Sequence, residues 1–145
     1  MDPVVRPYRA QDSEALVALW IACDLVQPHN DPRRDVDHKT ARDPQNLPVL
    51  EDSGQLIGSV MVGYEGHRGW INYLAVHPDC QRRGLGRLLT ARAESLLRDL
   101  GCPKVNLQVR QSDEAPTEFY RRICYAVDDV ISLGRRLEDD IPTAS

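Results

Sequence analysis

The chain has 145 residues, room for one domain with a single substantial core but not for two ordinary ones. Hydrophobic residues at 41% and charged residues at 28% are ordinary for a globular protein, and a net charge of −4 excludes the broad basic face of a general nucleic-acid binder. The opening stretch MDPVVRPYRAQDSEALVALW is broken by charge and proline and no later run reaches membrane-spanning length, so a cytoplasmic protein without membrane attachment is expected.

Val4 to Tyr8 reads as a short strand. Asp12 then offers a helix N-cap, with Leu16, Leu19, Trp20 and Cys23 on one face of the helix behind it. Asp31-Pro32 opens a second helix, Asp31 as cap and Pro32 at the first helical position, whose polar body RRDVDHKTARD is expected on the surface. From Leu47 the period becomes that of strands: LPVLE, the DSGQ turn and LIGSVMVGYE form an antiparallel pair, and GWINYLAV follows after the HRG turn. Leu85, Leu88, Leu89, Ala93, Leu96, Leu97 and Leu100 then recur at helical steps, with Gly101 as C-cap and Pro103 as stop. KVNLQVR is a strand and PTEFYRRI a short helix, and Ala126 to Val130 and Ser132 to Leu137 are read as two last strands. The fold class is thus α/β of the α+β mixed kind: a mostly antiparallel sheet of about seven strands with about four helices. One domain covers residues 1–138, and 139–145 form a flexible tail.

Cys23, Cys80, Cys102 and Cys124 lie far apart with no C-x-x-C, and His29, His38, His67 and His77 lack metal-ligand spacing. Four reduced thiols and no metal site are expected. The informative stretch is VHPDCQRRGLGRLL. It matches neither a dinucleotide fingerprint, since Leu89 stands where the third glycine would be, nor a P-loop. What it offers is a strand, glycines at 84 and 86, and a long helix whose first N–H groups have no intrahelical partner. Those donors, the helix-end partial charge, backbone bared by Gly84 and Gly86, and Arg82, Arg83 and Arg87 suit an anion such as a pyrophosphate. A tight turn with merely solvated arginines is the alternative.

LAVHPDCQRRGLGRLL resembles the acetyl-CoA signature of the GNAT superfamily of N-acyltransferases, whose Q/R-x-x-G-x-G/A is met by Gln81, Gly84 and Gly86. EFYRRICYA resembles the superfamily's F-Y-x-x-x-G-F helix and strand. A finer similarity, to small bacterial members, rests on N-D-P at Asn30 to Pro32, G-Y-x-G-H-R-G at Gly63 to Gly69 and G-C-P-K at Gly101 to Lys104. The resemblance implies acetyl-CoA (coenzyme A) as donor and a small-molecule or peptide amine as acceptor. The oligomeric state stays open between monomer and homodimer, since edge strands at both ends of the sheet would permit pairing.

Residue by residue, it implies that Leu74, Ala75 and Val76 present backbone groups to the pantetheine arm. Amides from Arg82 through Leu85 to Arg87 would bind the pyrophosphate, in a V opened between INYLAV and VNLQV. A lysine-like amine is neutral in only about one molecule in 2,500 at pH 7, so the reaction needs a route for that proton as well as an acid for the departing thiolate. Tyr120 matches the superfamily's acid, although it could merely pack. Glu65 is the leading candidate base. His67, and His29, Asn30 and Asp31 in the loop after the first helix, are candidates to touch the acceptor, each with a bland alternative as cap or turn member.

Three positions depart from the superfamily pattern: Cys124 where a glycine is usual, Asp113 beside the cofactor where many relatives have asparagine, and Pro116 for alanine. Those departures leave open a non-catalytic acyl-CoA-binding or sensing module. Gln108, where ribosomal-protein N-terminal acetyltransferases usually have glutamate, argues against that substrate.

Overall fold

The computed structural model describes residues 2–110 and 113–138. Its elements are β1 (Val4–Pro7), α1 (Ser13–Ala22), α2 (Pro32–Arg42), β2 (Pro48–Asp52), β3 (Gln55–Tyr64), β4 (Gly69–Val76), α3 (Leu85–Asp99), β5 (Val105–Leu107) and α4 (Glu114–Arg122). The sheet runs β1-β2-β3-β4-β5, antiparallel up to β4 and parallel between β4 and β5. That one parallel step needs a crossover, which α3 supplies. Alternation in the strands builds a core on both faces. Leu50, Ile57, Val60, Val62 and Ile71 meet Leu85, Leu89, Ala93 and Leu97 of α3 on one side. Val49 and Ala75, joined by Leu47, meet Leu16, Leu19 and Trp20 of α1 and Val36 of α2 on the other. Leu88 and Leu100, expected inside, are exposed.

The sheet has five strands rather than about seven. Residues 126–138 form no strand, and Val127, Val130, Ile131, Leu133 and Leu137 stand exposed. The segment meets β5 through side chains instead of a backbone ladder. Lys104 Nζ lies 2.9 Å from Asp128, Asn106 Nδ2 donates to the same carboxylate at 2.9 Å, and Gln108 donates to Ser132 Oγ. β5, expected from Lys104 to Arg110, is only three residues long, so little ladder exists to extend.

Asp31 caps α2 as expected, accepting from the amides of Arg33 at 3.0 Å and Arg34 at 3.4 Å, with Pro32 at the first position. Asp12 does not cap α1 with its side chain. Its two oxygens take Arg6 Nη1 at 2.8 Å and Nη2 at 2.9 Å, and one accepts the Arg9 amide at 2.7 Å. A charge-assisted fork outweighs a neutral cap bond, and a 3-10 turn over Ala10–Asp12 leads into the helix instead. Arg6 Nε also holds Glu51 at 2.6 Å, tying β1, β2 and the start of α1 together.

The Arg6 guanidinium holds the buried Asp12 carboxyl below its ordinary range, against the opposing effect of burial. A depressed folded-state value means that this stabilisation is present above the unfolded pKa, about 3.9, and is lost as pH falls through the folded one. Asp12→Asn is therefore expected to cost about 2 kcal/mol in urea unfolding at pH 7 and to flatten the loss of stability below about pH 4.

Candidate functional site

The site begins with a change of register. Ser59 pairs with Ala75, but Met61 pairs with Asn72, so Val60 alone opposes both Tyr73 and Leu74 and β4 is bulged. Tyr73 has φ +49°, a left-handed conformation that L-residues rarely adopt. Its ring stacks on Trp20, centroids 3.7 Å apart and planes at 10°. Its carbonyl accepts from Ser59 Oγ at 2.9 Å, and that hydroxyl accepts from Trp20 Nε1 at 2.9 Å. Its phenol donates to Asp35 Oδ2 at 2.5 Å; burial first, and Asp35 second, push that phenol far above its ordinary pKa.

On the other side of β4, pairing with β5 runs from Gly69↔Val105 to Ile71↔Leu107 and stops. Residues 72–76 continue beside β3 with no strand against their other edge among the described residues. The expected opening between these strands is therefore present, and Leu74, Ala75 and Val76 lie along it. Val76 departs from the expectation in one respect. Its carbonyl already accepts Gln81 Nε2 and Cys23 Sγ, each at 3.3 Å, so Gln81 ties the turn to the strand end.

The glycine turn follows. Arg82 at φ +66° and Gly84 at φ +74° reverse the chain, and Gly84 stands at the start of α3 without a side-chain cap. The first helical bond, from the Leu88 amide to the Gly84 carbonyl at 3.1 Å, leaves the amides of Leu85, Gly86 and Arg87 ahead of the ladder. A Cβ on Gly84 would meet nothing within 4 Å, so the backbone there is open to a ligand. Gly86 serves a different purpose from the one expected: a Cβ would lie 3.1 Å from Phe119 Cζ, and the glycine lets α4 pack against α3. Arg82 and Arg87 are exposed, whereas Arg83 reaches Asp52 at 3.4 Å. The buried Leu85 side chain anchors the turn in the core.

Next to Phe119, Tyr120 packs edge-on against Phe119 and Tyr125, at 5.1 and 5.6 Å between centroids. Burial pushes its phenol up to about 12, so it stays protonated at neutral pH. Tyr125 in turn donates to Glu94 Oε2 of α3 at 2.8 Å, which fixes α4 on that helix. Asp113 takes the N-cap position of α4 but makes no side-chain cap bond; Thr117 Oγ1 donates to its carbonyl at 3.1 Å.

Across the sheet, α2 and the bulge enclose a cleft formed of two adjoining cavities, of about 360 Å³ and about 550 Å³. His29, Asn30 and Asp31 line the first, and Asn30, Asp35 and His38 are common to both, with Asn72 and Tyr73 in the second. Glu65 and His67 are not among the lining residues. Glu65 Oε1 accepts the His67 amide at 2.9 Å and the Arg68 amide, closing the β3–β4 turn at the far end of β4 from the bulge. Sequence reasoning missed Trp20, Ser59, Tyr73 and Asp35. Of these only Asp35 carried a signal, its helical spacing with His38, Lys39 and Arg42.

The sequence pattern of the Acetyltransferase (GNAT) family matches residues 14–124. The chain belongs to that family. It is 44% identical over 136 residues to an acetyltransferase of Pectobacterium atrosepticum, covering 94% of this chain and 96% of that one. It is also 44% identical over 133 residues to one of Yersinia enterocolitica, covering 92% and 94%. As a GNAT N-acetyltransferase it takes its acyl group from acetyl-CoA. Among solved structures, Chaetomium thermophilum Naa20 in complex with a bisubstrate analogue superposes with TM-score 0.70 at 26% identity, covering 86% of this chain and 71% of that one. The PaiA N-acetyltransferase of Thermoplasma acidophilum in complex with coenzyme A shares the fold, with TM-score 0.77 at 15% identity over 90% and 94%.

This GNAT chain closes α4 without a glycine. Cys124 takes φ +75°, and the bonds from Cys124 N to Arg121 O at 3.1 Å and from Tyr125 N to Tyr120 O at 2.9 Å end the helix. A non-glycine residue there costs about 1 kcal/mol. Cys124→Gly is expected to raise the melting temperature by about 2–4 °C in calorimetry. An unchanged or lower value would show that the turn is not strained.

Proposed function

We propose that this GNAT acetyltransferase seats its donor along the free edge of residues 72–76 and its diphosphate on the turn from Arg82 to Arg87. The observation that carries the reading is a bulged strand left unpaired on one side, leading directly into a turn with open space at Gly84, helix-start amides ahead of the ladder, and exposed Arg82 and Arg87. An extended ligand arm can satisfy backbone groups that lack a strand partner, and Arg82 and Arg87 add positive charge to helix-start amides in an otherwise acidic protein.

Bound acetyl-CoA supplies an activated acyl carbon and a thiolate leaving group. An amide between Leu74 and Val76 that faces the free edge is the donor available to charge developing on the carbonyl oxygen. Tyr120 holds the proton for the departing sulfur. The acceptor enters through the cleft between α2 and the bulge, where His29, Asn30 and Asp31 form the outer wall. Glu65, occupied as acceptor for two turn amides, is left out of the machinery, and the amine's proton passes to water in the cleft. From the N-D-P and G-Y-x-G-H-R-G motifs we infer that the chain falls in a small bacterial subgroup of the family; its 44% identity to the Pectobacterium and Yersinia proteins is in keeping with that reading. No helix of the described residues is long and apolar enough to cross a membrane, in keeping with a cytoplasmic site of action.

An acid must be protonated, so activity that depends on Tyr120 is lost only as pH rises through its value, near 12. Tyr120→Phe is expected to lower kcat about a hundredfold with the KM for acetyl-CoA little changed. Turnover equal to wild type, or a basic limb near pH 10 that disappears in the variant, would refute the assignment.

A further inference from the structure

Resting on that reading, we propose that Asp35 is a specificity-determining carboxylate for a second positive charge on the acceptor, so that the substrate is a diamine or a basic peptide rather than a simple monoamine. On α2, His38, Lys39 and Arg42 lie three, four and seven residues beyond Asp35 and share the face that lines the cleft. The charges there are largely satisfied within the protein. Lys39 Nζ lies 2.9 Å from Asp43 and also donates to the Val62 carbonyl. Arg34 pairs with Glu138, Arg33 with Glu14 at 3.0 Å, and Asp31 caps the helix. Arg42 stands two turns further along, roughly 10 Å away by helical rise.

Asp35 differs from its neighbours. Its partner is the neutral phenol of Tyr73 on Oδ2, while Oδ1 accepts from no donor among the described residues, and the side chain lines both cavities. A carboxylate without a cation, recessed in the acceptor cleft, selects an ammonium or guanidinium over a neutral group. The paired ammonium is not the one that reacts. A carboxylate beside an amine favours its charged form, which would add to the cost of deprotonating the nucleophile. The reacting amine is therefore a neighbour of the cation held by Asp35, on the side of the bulge. Tyr73 is a positioning residue here. Its backbone forms the bulge, its ring is clamped on Trp20, and its hydroxyl fixes the carboxylate, so the cation-binding oxygen and the unpaired strand edge keep a set separation.

The test is a titration of wild-type protein with 1,4-diaminobutane dihydrochloride against sodium chloride at equal ionic strength. It follows the Asp35 side-chain carboxyl and Tyr73 ring resonances, with the thermal shift by coenzyme A measured on the same sample. A saturable shift of both signals with the diamine alone is expected. In thiol-release kinetics the diamine should exceed n-butylamine about tenfold in kcat/KM, and Asp35→Asn should erase that advantage through the KM of the amine, with the KM for acetyl-CoA unmoved. Tyr73→Phe, which keeps the carboxylate, should retain the Asp35 response to the diamine. Silent Asp35 and Tyr73 signals with the coenzyme A shift intact would overturn this proposal alone. Absence of the coenzyme A shift would instead overturn the donor site on which it rests.

Discussion

A single backbone irregularity organises the molecule: the bulge that puts Tyr73 at φ +49° in the middle of β4. A tyrosine in that conformation costs about 1–2 kcal/mol. The Trp20 stack, worth about 0.5–1.5 kcal/mol beyond burial, and the Ser59 bond to the carbonyl offset it. Since Ser59 also takes the indole N–H, the buried polar atoms of this patch are satisfied by one another, and the strain is held by a closed set of partners. A bulge increases local twist, and β4 leaves β5 just before it, after Ile71. The free edge, the turn beyond it and the cleft beneath it all follow from that departure.

The remaining elements serve to locate groups around this opening. α3 is buried along Leu85, Leu89, Ala93 and Leu97, so its first turn is fixed relative to the end of β4, and Gln81 adds a direct tie to the Val76 carbonyl. α4 is placed by the absence of a side chain at Gly86, which admits Phe119, and by the Tyr125 bond to Glu94, and Tyr120 packs between these two rings. Burial keeps the Tyr120 phenol protonated at neutral pH, and no donor or acceptor of the described residues engages it.

Much of the fold was legible from local patterns. Alternation and the DSGQ and HRG turns marked β2 to β4, the leucine period marked α3, and Asp31-Pro32 marked the start of α2. The glycine turn and Tyr120 were legible through their resemblance to a family. What escaped depends on register or on distant partners. Nothing in GWINYLAV distinguishes Tyr73 from an ordinary strand residue, because a bulge is decided by how two strands pair. Gly86 looked like ligand space because Phe119, its contact, lies 33 positions on in the sequence. The polar run of α2 was read as a solvated surface, though Asp35, His38, Lys39 and Arg42 recur at helical spacing and line a cavity. The last two strands, expected over Ala126 to Val130 and Ser132 to Leu137, do not form: the apolar side chains there stand exposed, and β5 offers only three residues of ladder.

The central claim is that the edge of β4 beyond Ile71 is a vacant strand position made for the donor. Amide hydrogen exchange, resolved by residue and compared with and without acetyl-CoA, addresses it directly. Added acetyl-CoA should slow exchange within residues 72–76 and 82–87 and leave Gly69 to Ile71, already paired on both sides, unchanged. Equal exchange across residues 72–76 in the two conditions would contradict the account.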